Sequence, residues 1–262
     1  MNSYTHGYHP TVLQTHRMRT VENSAAYLLP HLAPGQDLLD VGSGAGTITA
    51  GFVPLVGSVT ALEYNDEAIA LTRAELAARG LVAEFVVDDV LGLSFDDDSF
   101  DVVHAHQVIQ HVADPVRAIS EMMRVCRPGG VVAIRDSDYA AFTWFPANPG
   151  LTNWMDTYQA VARSNGGEPN AGRMLKAWAR KAGATDVTCS SSTWTFASDD
   201  ERGFWGGNWE RRVLESKFES DALALGVADR IQLETISAAW RTWIEDADGW
   251  FMVPHGEILI RC

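Results

Sequence analysis

Short apolar runs alternate with helix-forming stretches between residues 37 and 136, and this alternation constrains the fold more than any other feature of the chain. The apolar runs occupy residues 37–41, 59–62, 84–87, 100–104 and 131–135. Helix-like stretches lie among them at residues 47–55, 66–79 and 115–126. Strands that alternate with helices form βαβ units, which build a parallel sheet with right-handed crossovers. The pattern therefore predicts a doubly wound α/β fold.

The acidic balance of the chain limits its partners. Its 262 residues carry 34 acidic and 20 basic side chains, which gives a formal net charge of −14. A field of this sign repels phosphate backbones and anionic lipid headgroups. We therefore expect no nucleic acid and no membrane as a partner, and we interpret the basic residues between 173 and 181 as a solvated helix face.

Cysteine usage and the N-terminus indicate the compartment. Cys126, Cys189 and Cys262 are scattered and lack metal-ligand spacing, so neither a disulfide framework nor a zinc site is expected. The first ten residues lack a basic start followed by an apolar run, and no stretch approaches the ~18 apolar residues of a spanning helix. These features predict a cytoplasmic protein.

The chain is predicted to form one domain with four parts. Residues 1–36 are predicted to form a helical N-terminal lid, and residues 37–136 the core. Residues 137–255 are predicted to form a helical cap with a late strand near 187–196. A terminal strand over 256–262 could pair antiparallel with that late strand. All nine tryptophans follow residue 136, and we expect most of them to anchor the core of the cap.

A glycine-rich segment, Asp40-Val41-Gly42-Ser43-Gly44-Ala45-Gly46-Thr47, joins the first strand to the following helix. Glycines there allow a tight turn and a close approach of the backbone to a ligand. A dinucleotide fingerprint would require glycine at the position of Thr47, whereas this chain places it one residue earlier. Glu63 ends the second strand, where a carboxylate can accept hydrogen bonds from both hydroxyls of a ribose.

This loop, with an acid two residues before its first glycine, resembles motif I of class I S-adenosylmethionine-dependent methyltransferases. Three further segments resemble the ubiquinone/menaquinone-biosynthesis type of small-molecule methyltransferase: residues 85–90 (FVVDDV), the segment from FDVV to HVADP over residues 100–115, and residues 124–130 (RVCRPGG). The resemblance covers about residues 37–136. It implies a Rossmann-like, mostly parallel sheet of seven strands with the last antiparallel, and S-adenosyl-L-methionine as cofactor.

The resemblance also implies cofactor contacts at the carboxyl ends of strands one to four. The residues concerned are Asp40, Gly42, Ser43, Gly44, Ala45, Gly46, Glu63, Tyr64, Asp89, Val90, His106 and Gln107. Asp89 would face the adenine amino group, and Val90 would offer its backbone N–H. Asp88 stands where the family usually has glycine, so we expect this turn to be tighter or differently aimed. In the lid, Arg17 is the expected partner of the cofactor's carboxylate, with His9 and His16 nearby.

Methyl transfer from a sulfonium is an in-line displacement, which needs alignment and a way to remove the acceptor's proton. His106 and His255 are therefore candidate bases, although His106 could instead be a wall of the cofactor site. Trp144 and Trp209, together with His255, are predicted to line the acceptor pocket, Trp209 because it follows the flexible pair Gly206-Gly207. No third ligand completes a metal site with His104 and His106, so no metal is expected.

The sequence thus predicts an enzyme that transfers a methyl group from S-adenosylmethionine to O, N or C of a small-molecule acceptor. Two alternatives remain open at this point. One is an NAD-dependent oxidoreductase, and the other is a non-methylating binding protein on the same fold.

Overall fold

The computed structural model describes residues 15–262 and divides into two compact units. The sheet unit contains residues 16–136, 171–192 and 255–262, and the helical unit contains chiefly residues 137–170 and 193–254. Residues 171–192, which the sequence pattern placed in the cap, thus belong to the sheet unit. The predicted lid lies partly outside the described residues, and so does His9.

Within residues 15–262, eight strands form a sheet in the order β3-β2-β1-β4-β5-β8-β6, and β7 pairs with β8. Their bounds are β1 Asp37–Val41, β2 Ser58–Glu63, β3 Glu84–Val87, β4 Phe100–His106, β5 Cys126–Ser137, β6 Thr143–Phe145, β7 Val187–Phe196 and β8 Trp250–Arg261. The neighbours among β1 to β5 pair in parallel, whereas β6 and β8 are antiparallel. This confirms the predicted doubly wound, mostly parallel α/β sheet.

The strand count differs from the expected seven, because β6 is an additional strand of three residues. A strand this short carries no readable periodicity in the sequence, and its pairing with β8 defines it. The last strand also begins earlier than expected, at Trp250, so His255 lies inside β8 rather than before it. The expected pairing of the late strand with the terminal strand is confirmed by the β7–β8 contact.

Nine α-helices are assigned among the elements of residues 21–262. Their bounds are α1 Val21–Ser24, α2 Thr47–Phe52, α3 Asp66–Ala78, α4 Pro115–Val125, α5 Pro149–Ser164, α6 Leu175–Lys181, α7 Asp199–Glu215, α8 Lys217–Leu225 and α9 Arg230–Glu245. The N-cap of α3 is Asn65, whose side chain accepts from Ala68 N. No helix within residues 15–262 is both long and apolar enough to cross a membrane.

Helix α7 contradicts the expected flexibility around Gly206 and Gly207, because it continues through both glycines. A capping box between Ser198 and Glu201 starts this helix. A Cβ atom on Gly206 would lie 2.5 Å from Cγ1 of Ile244 in α9. The glycine therefore serves close helix packing, and Trp209 lies on a regular helix.

The two faces of the sheet unit carry different layers. One face packs Leu39, Val103 and other apolar side chains against α4 and α6. The other face packs Leu38, Val102 and Val131 against α1 and α2. Side chains alternate between the two faces along a strand, so every second residue after these apolar ones lies on the same face. The residues found there near the strand ends are polar. They are Asp40 on β1, His104 and His106 on β4, and Arg135 on β5.

Candidate active site

The turn between β1 and α2 is shaped by three glycines with left-handed backbone angles. The φ angles of Gly42, Gly44 and Gly46 are 69°, 59° and 79°. The hydroxyl of Thr72 on α3 donates to the carbonyl oxygen of Gly44 at 2.9 Å, and a Cβ on Gly46 would lie 2.9 Å from Cα of Thr72. The turn is therefore held tightly against α3, and only glycine allows this approach.

Glu63 at the end of β2 lies directly beside this turn. One of its carboxylate oxygens accepts the backbone N–H of Gly44 at 2.6 Å, and the other accepts that of Tyr64 at 3.3 Å. Burial raises the pKa of Glu63, while these two backbone donors oppose the rise. A Cβ on Gly44 would meet only the Gly42 carbonyl oxygen, at 3.9 Å, so the space over Gly44 is open. The Glu63 carboxylate therefore lies at the edge of an open space, next to the N–H of Gly44. This arrangement suits a ribose, because its two hydroxyls can donate hydrogen bonds to a carboxylate.

Asp40 lies under the loop and is only 3% exposed. One carboxylate oxygen is 2.7 Å from Nδ1 of His104, and the other accepts the hydroxyl of Thr49 at 2.6 Å. The ring of His104 contacts the edge of Phe52 at a centroid distance of 4.9 Å. Asp40 thus joins β1, β4 and α2 beneath the loop, and its contact with the cofactor stays a prediction.

The turn after β3 is closed by Asp88, the residue that replaces the usual glycine. Its side chain accepts the backbone N–H and the hydroxyl of Ser94, each at 2.8 Å, and the N–H of Asp89 at 2.8 Å. Asp89 is exposed and accepts the N–H of Leu91 at 2.9 Å, whereas Val90 is buried. Their contacts with adenine stay predictions, and Tyr64, at 69% exposure, lies on the surface.

Gln107, just after β4, has a strained backbone and several partners. Its φ of 55° falls in the left-handed region, which residues other than glycine rarely adopt. Residues with such strained backbone angles are often found at functional sites. Its N–H donates to the carbonyl oxygen of Arg135 at 2.7 Å. Its side-chain oxygen accepts from Arg19 at 2.6 Å, and its side-chain nitrogen lies 2.9 Å from Nε2 of His255. The sequence-predicted residues Gln107 and His255 are therefore in contact.

His106 lies beside the same group. Its Nδ1 is 3.4 Å from the guanidinium of Arg135, and its ring stacks on that of His255 with centroids 6.1 Å apart. Burial, followed by the charges of Arg135 and Arg19, holds the pKa of His106 well below its usual value. His106 is therefore neutral near pH 7.

Two arginines of this network were not found by sequence reasoning. Arg19 is half-buried and bonded to Gln107, while the predicted Arg17, two residues earlier, is exposed. Arg135 is fully buried and lies 3.2 Å from Glu257 and 3.1 Å from Ser192. Burial lowers the pKa of Arg135 to about 10, so it keeps its charge at neutral pH. The sequence signal for Arg135 was a charged residue at the end of the otherwise apolar run 131–135.

Asp136 was also missed. Its side chain is fully buried, and one oxygen accepts the N–H of Gln110 at 3.4 Å. Among the described residues the other oxygen has no hydrogen-bond partner. Burial raises the pKa of Asp136 to about 8, so the carboxyl is mostly protonated at neutral pH.

The predicted pocket tryptophans lie in the aromatic core of the helical unit. Trp209 is 1% exposed and contacts the ring of Trp154 at 4.6 Å, with Arg212 stacked on its ring at 4.5 Å. Trp144 is half-buried and stacks on Phe251 at 5.8 Å. These contacts make Trp209 a core anchor of this unit, and contact of either tryptophan with an acceptor stays a prediction.

Comparison with known proteins identifies the family. A family model described as a methyltransferase domain matches residues 39–134, which include the glycine turn, Glu63 and the end of β4. An uncharacterized methyltransferase of Schizosaccharomyces pombe is 32% identical over 269 residues, which cover 98% of this chain and 96% of that protein. The chain belongs to the class I S-adenosylmethionine-dependent methyltransferases. This methyltransferase is accordingly an enzyme, as the sequence predicted.

Two further proteins, one similar in sequence and one similar in fold, agree with this family. The methyltransferase is 30% identical over 177 residues to a ubiquinone/menaquinone biosynthesis C-methyltransferase of Idiomarina loihiensis, with 61% of this chain and 70% of that protein covered. Its fold is similar to that of the YcgJ protein of Bacillus subtilis, with a TM-score of 0.61, 18% identity, and 92% and 98% of the two chains covered. The first similarity confirms the resemblance that the sequence segments indicated, and the second concerns the fold alone.

Proposed function

We propose that this methyltransferase binds S-adenosylmethionine at the β1–α2 turn and transfers its methyl group to O, N or C of a small-molecule acceptor. The observation that carries the proposal is the contact between Glu63 and Gly44, because it presents a carboxylate and a backbone N–H beside open space. The strong negative charge of the chain supports a small acceptor over a nucleic acid.

The carboxyl ends of the parallel strands supply the cofactor-binding groups. Glu63 has lone pairs left to accept two ribose hydroxyls, since each oxygen accepts one backbone N–H in the structure. Asp89 and the N–H of Val90 would hold the adenine, and Arg17 is the proposed partner of the cofactor's carboxylate. When bound, S-adenosylmethionine supplies an electrophilic methyl group on sulfur.

The residues at the end of β4 are proposed to face the acceptor. His106 is the last residue of β4, the strand that pairs with β1, and Gln107 follows it. His255 on β8 contacts Gln107. Positioning by these fixed side chains would supply much of the rate, because an in-line displacement depends on alignment.

Calorimetry with S-adenosylmethionine, S-adenosylhomocysteine and NADH tests cofactor choice. We expect binding of the first two and none of NADH, whereas binding of NADH alone would favour the oxidoreductase alternative. Release of S-adenosylhomocysteine is then measured against a panel of small phenols, amines and carboxylic acids. Cofactor binding without turnover of any acceptor would instead support a non-methylating binding protein.

A further inference from the structure

Helices α5 and α9 of the helical unit pack closely at one end only. There a Cβ on Gly150 would overlap the Cβ of Ala239, and the side chain of Asn148 donates to the carbonyl oxygen of Ala239 at 3.4 Å. At the other end of α5, the side chain of Asn165 donates to Asp221 of α8 at 2.8 Å. Helix α5 is therefore held at both ends, by α9 at one and by α8 at the other.

A cavity of about 330 Å³ lies between these two ends, wholly within the helical unit. One wall comes from residues 153–160 of α5, and the facing wall comes from residues 227–236. At a rise of about 1.5 Å per residue, the wall on α5 is about 10 Å long. A cavity of this size suits a small organic molecule, whereas an α-helix with its side chains is ~10–12 Å across and is too wide for it.

The wall formed by α9 and the turn before it brings apolar side chains to the surface. Ile231 is 73% exposed and Val227 is 37% exposed, while Ile236 in the same wall is buried. Leu223 and Leu225 on the neighbouring α8 are also exposed. Exposed apolar side chains that are concentrated in one place mark binding sites, whereas single scattered ones do not. A ligand with an apolar body would remove this surface from water.

Among the described residues that line the cavity, Asp156 carries the only charge. Its side chain makes no hydrogen bond or ion pair with any residue between 15 and 262. The arginines nearest to the two walls along the chain are already paired. Arg163 contacts Glu168 at 3.5 Å, and Arg230 contacts Glu234 at 3.0 Å. The carboxylate of Asp156 is therefore available to a cation from outside the chain.

Other polar side chains of the walls are engaged locally. The hydroxyls of Thr157 and Thr235 donate to carbonyl oxygens of their own helices, at 2.7 and 2.8 Å. The side-chain oxygen of Gln232 accepts the N–H of Asp229 at 2.8 Å. Because these groups already have partners, Asp156 decides the charge of a ligand in this cavity.

We propose that this cavity binds a small organic cation, in which an ammonium group is carried on an aryl or alkyl body about 10 Å long. The ammonium group pairs with Asp156, and the apolar body covers Ile231 and Val227. The net charge of −14 also favours a cationic ligand over an anionic one. This site goes beyond the proposed methyl transfer and does not depend on it.

Methyl NMR on the full-length protein, labelled with 13C at the isoleucine δ1 methyls and free of cofactor, tests the site. The variants Ile231→Val and Ile236→Val assign the two methyls of the cavity by loss of their signals. At pH 7, 4-phenylbutylammonium should shift both signals in a saturable manner. The signal of the buried Ile119 in α4, assigned in the same way, should not move. No shift of the two cavity signals would overturn the proposal.

Two compounds of nearly the same shape test the charge of the ligand, because 4-phenylbutanol is neutral and 5-phenylpentanoate is an anion. The ammonium should bind about two- to fivefold more tightly than the alcohol, as expected for an exposed ion pair, and the anion most weakly. Asp156→Asn should abolish this preference. Asp200→Asn, at an exposed acid of α7 outside the cavity, should keep it. Equal binding of ammonium and alcohol by the unaltered protein would overturn the proposed ligand class.

The variant Ile231→Ser tests the apolar wall, with the signal of Ile236 as the readout. It should weaken the binding of both the ammonium and the alcohol by about threefold or more, because apolar contact is lost. Val82→Ser is the matched control, since Val82 is 84% exposed and lies in the sheet unit. Unchanged affinity in Ile231→Ser would contradict the proposal. Shifts of the cavity signals with protein concentration alone would mean that a second copy of the chain occupies the cavity, which would also overturn it.

Discussion

The carboxylate of Glu63 accepts the backbone N–H of Gly44 at 2.6 Å, which ties the end of β2 to the turn that follows β1. This contact joins residues 19 positions apart in the sequence and places a charged acceptor beside the open side of the turn. It is the geometric basis for placing the cofactor ribose here.

Replacing Glu63 with glutamine should weaken the binding of S-adenosylmethionine by about 1.5–3 kcal/mol, because hydrogen bonds to a charged acceptor are lost. Isothermal titration calorimetry measures the change. Glu84→Gln is the control, since Glu84 is an exposed residue at the start of β3. Equal dissociation constants for Glu63→Gln and the unaltered protein would remove Glu63 from the site.

Gly44→Ala should weaken cofactor binding by at least about 1.4 kcal/mol, a factor of ten, because the methyl group enters the open space over the turn. Gly80→Ala is a matched control, since Gly80 has a similar φ of 67° and an added Cβ there would likewise meet no side chain. Both variants should lose about 1–2 kcal/mol of stability through left-handed strain. Cofactor affinity that falls no further in Gly44→Ala than in Gly80→Ala would contradict the assignment of the turn.

Asp136 should make stability depend on pH. Its pKa is raised from 3.8 to about 8 in the folded state, so the folded chain holds a proton that the unfolded chain has released over this range. Its contribution to stability is therefore full below about pH 4 and is lost as pH rises toward 8, at up to about 1.4 kcal/mol per pH unit. His106, with a lowered pKa, has the opposite slope between its folded pKa and its ordinary one.

The variant Asp136→Asn isolates the first effect, because it leaves His106 in place. Urea denaturation at pH 5, 6.5 and 8 should show that the variant gains stability relative to the unaltered protein as the pH rises. Any change that the amide group itself makes to the free energy of unfolding is the same at every pH, so it does not affect the trend with pH. A difference in unfolding free energy that stays the same at all three pH values would rule out the raised pKa.

Gly206 and Gly207 should respond oppositely to alanine. At Gly206 the new Cβ would lie 2.5 Å from Ile244, so Gly206→Ala should destabilise the protein by about 1–3 kcal/mol through overpacking. At Gly207 no atom lies within 4 Å of the new Cβ, so Gly207→Ala should stabilise helix α7 by about 0.5–1 kcal/mol. Thermal unfolding of the two variants checks the signs. Stabilisation by both substitutions would mean that α9 does not pack closely on Gly206.

Local sequence was enough to predict the sheet and the glycine turn. The apolar runs at residues 37–41 and 59–62 and the glycines between residues 42 and 46 depend on periodicity and backbone freedom, which are properties of neighbouring residues. The same reasoning failed at Gly206 and Gly207, because two adjacent glycines in a sequence indicate a flexible backbone when their surroundings in the fold are unknown. In the structure both residues belong to helix α7, and Gly206 allows Ile244 of α9 to pack closely against it.

By itself, therefore, the sequence determined the fold class, the glycine turn and the position of Glu63 at the end of β2. Tertiary structure decided the rest of the candidate site. Arg19 meets Gln107 across 88 positions, and Gln107 meets His255 across 148. Such contacts leave no periodic trace, since each requires only one polar residue at the end of a strand or in a turn. Buried donors and acceptors must pair, and this constraint exists only once the chain has folded.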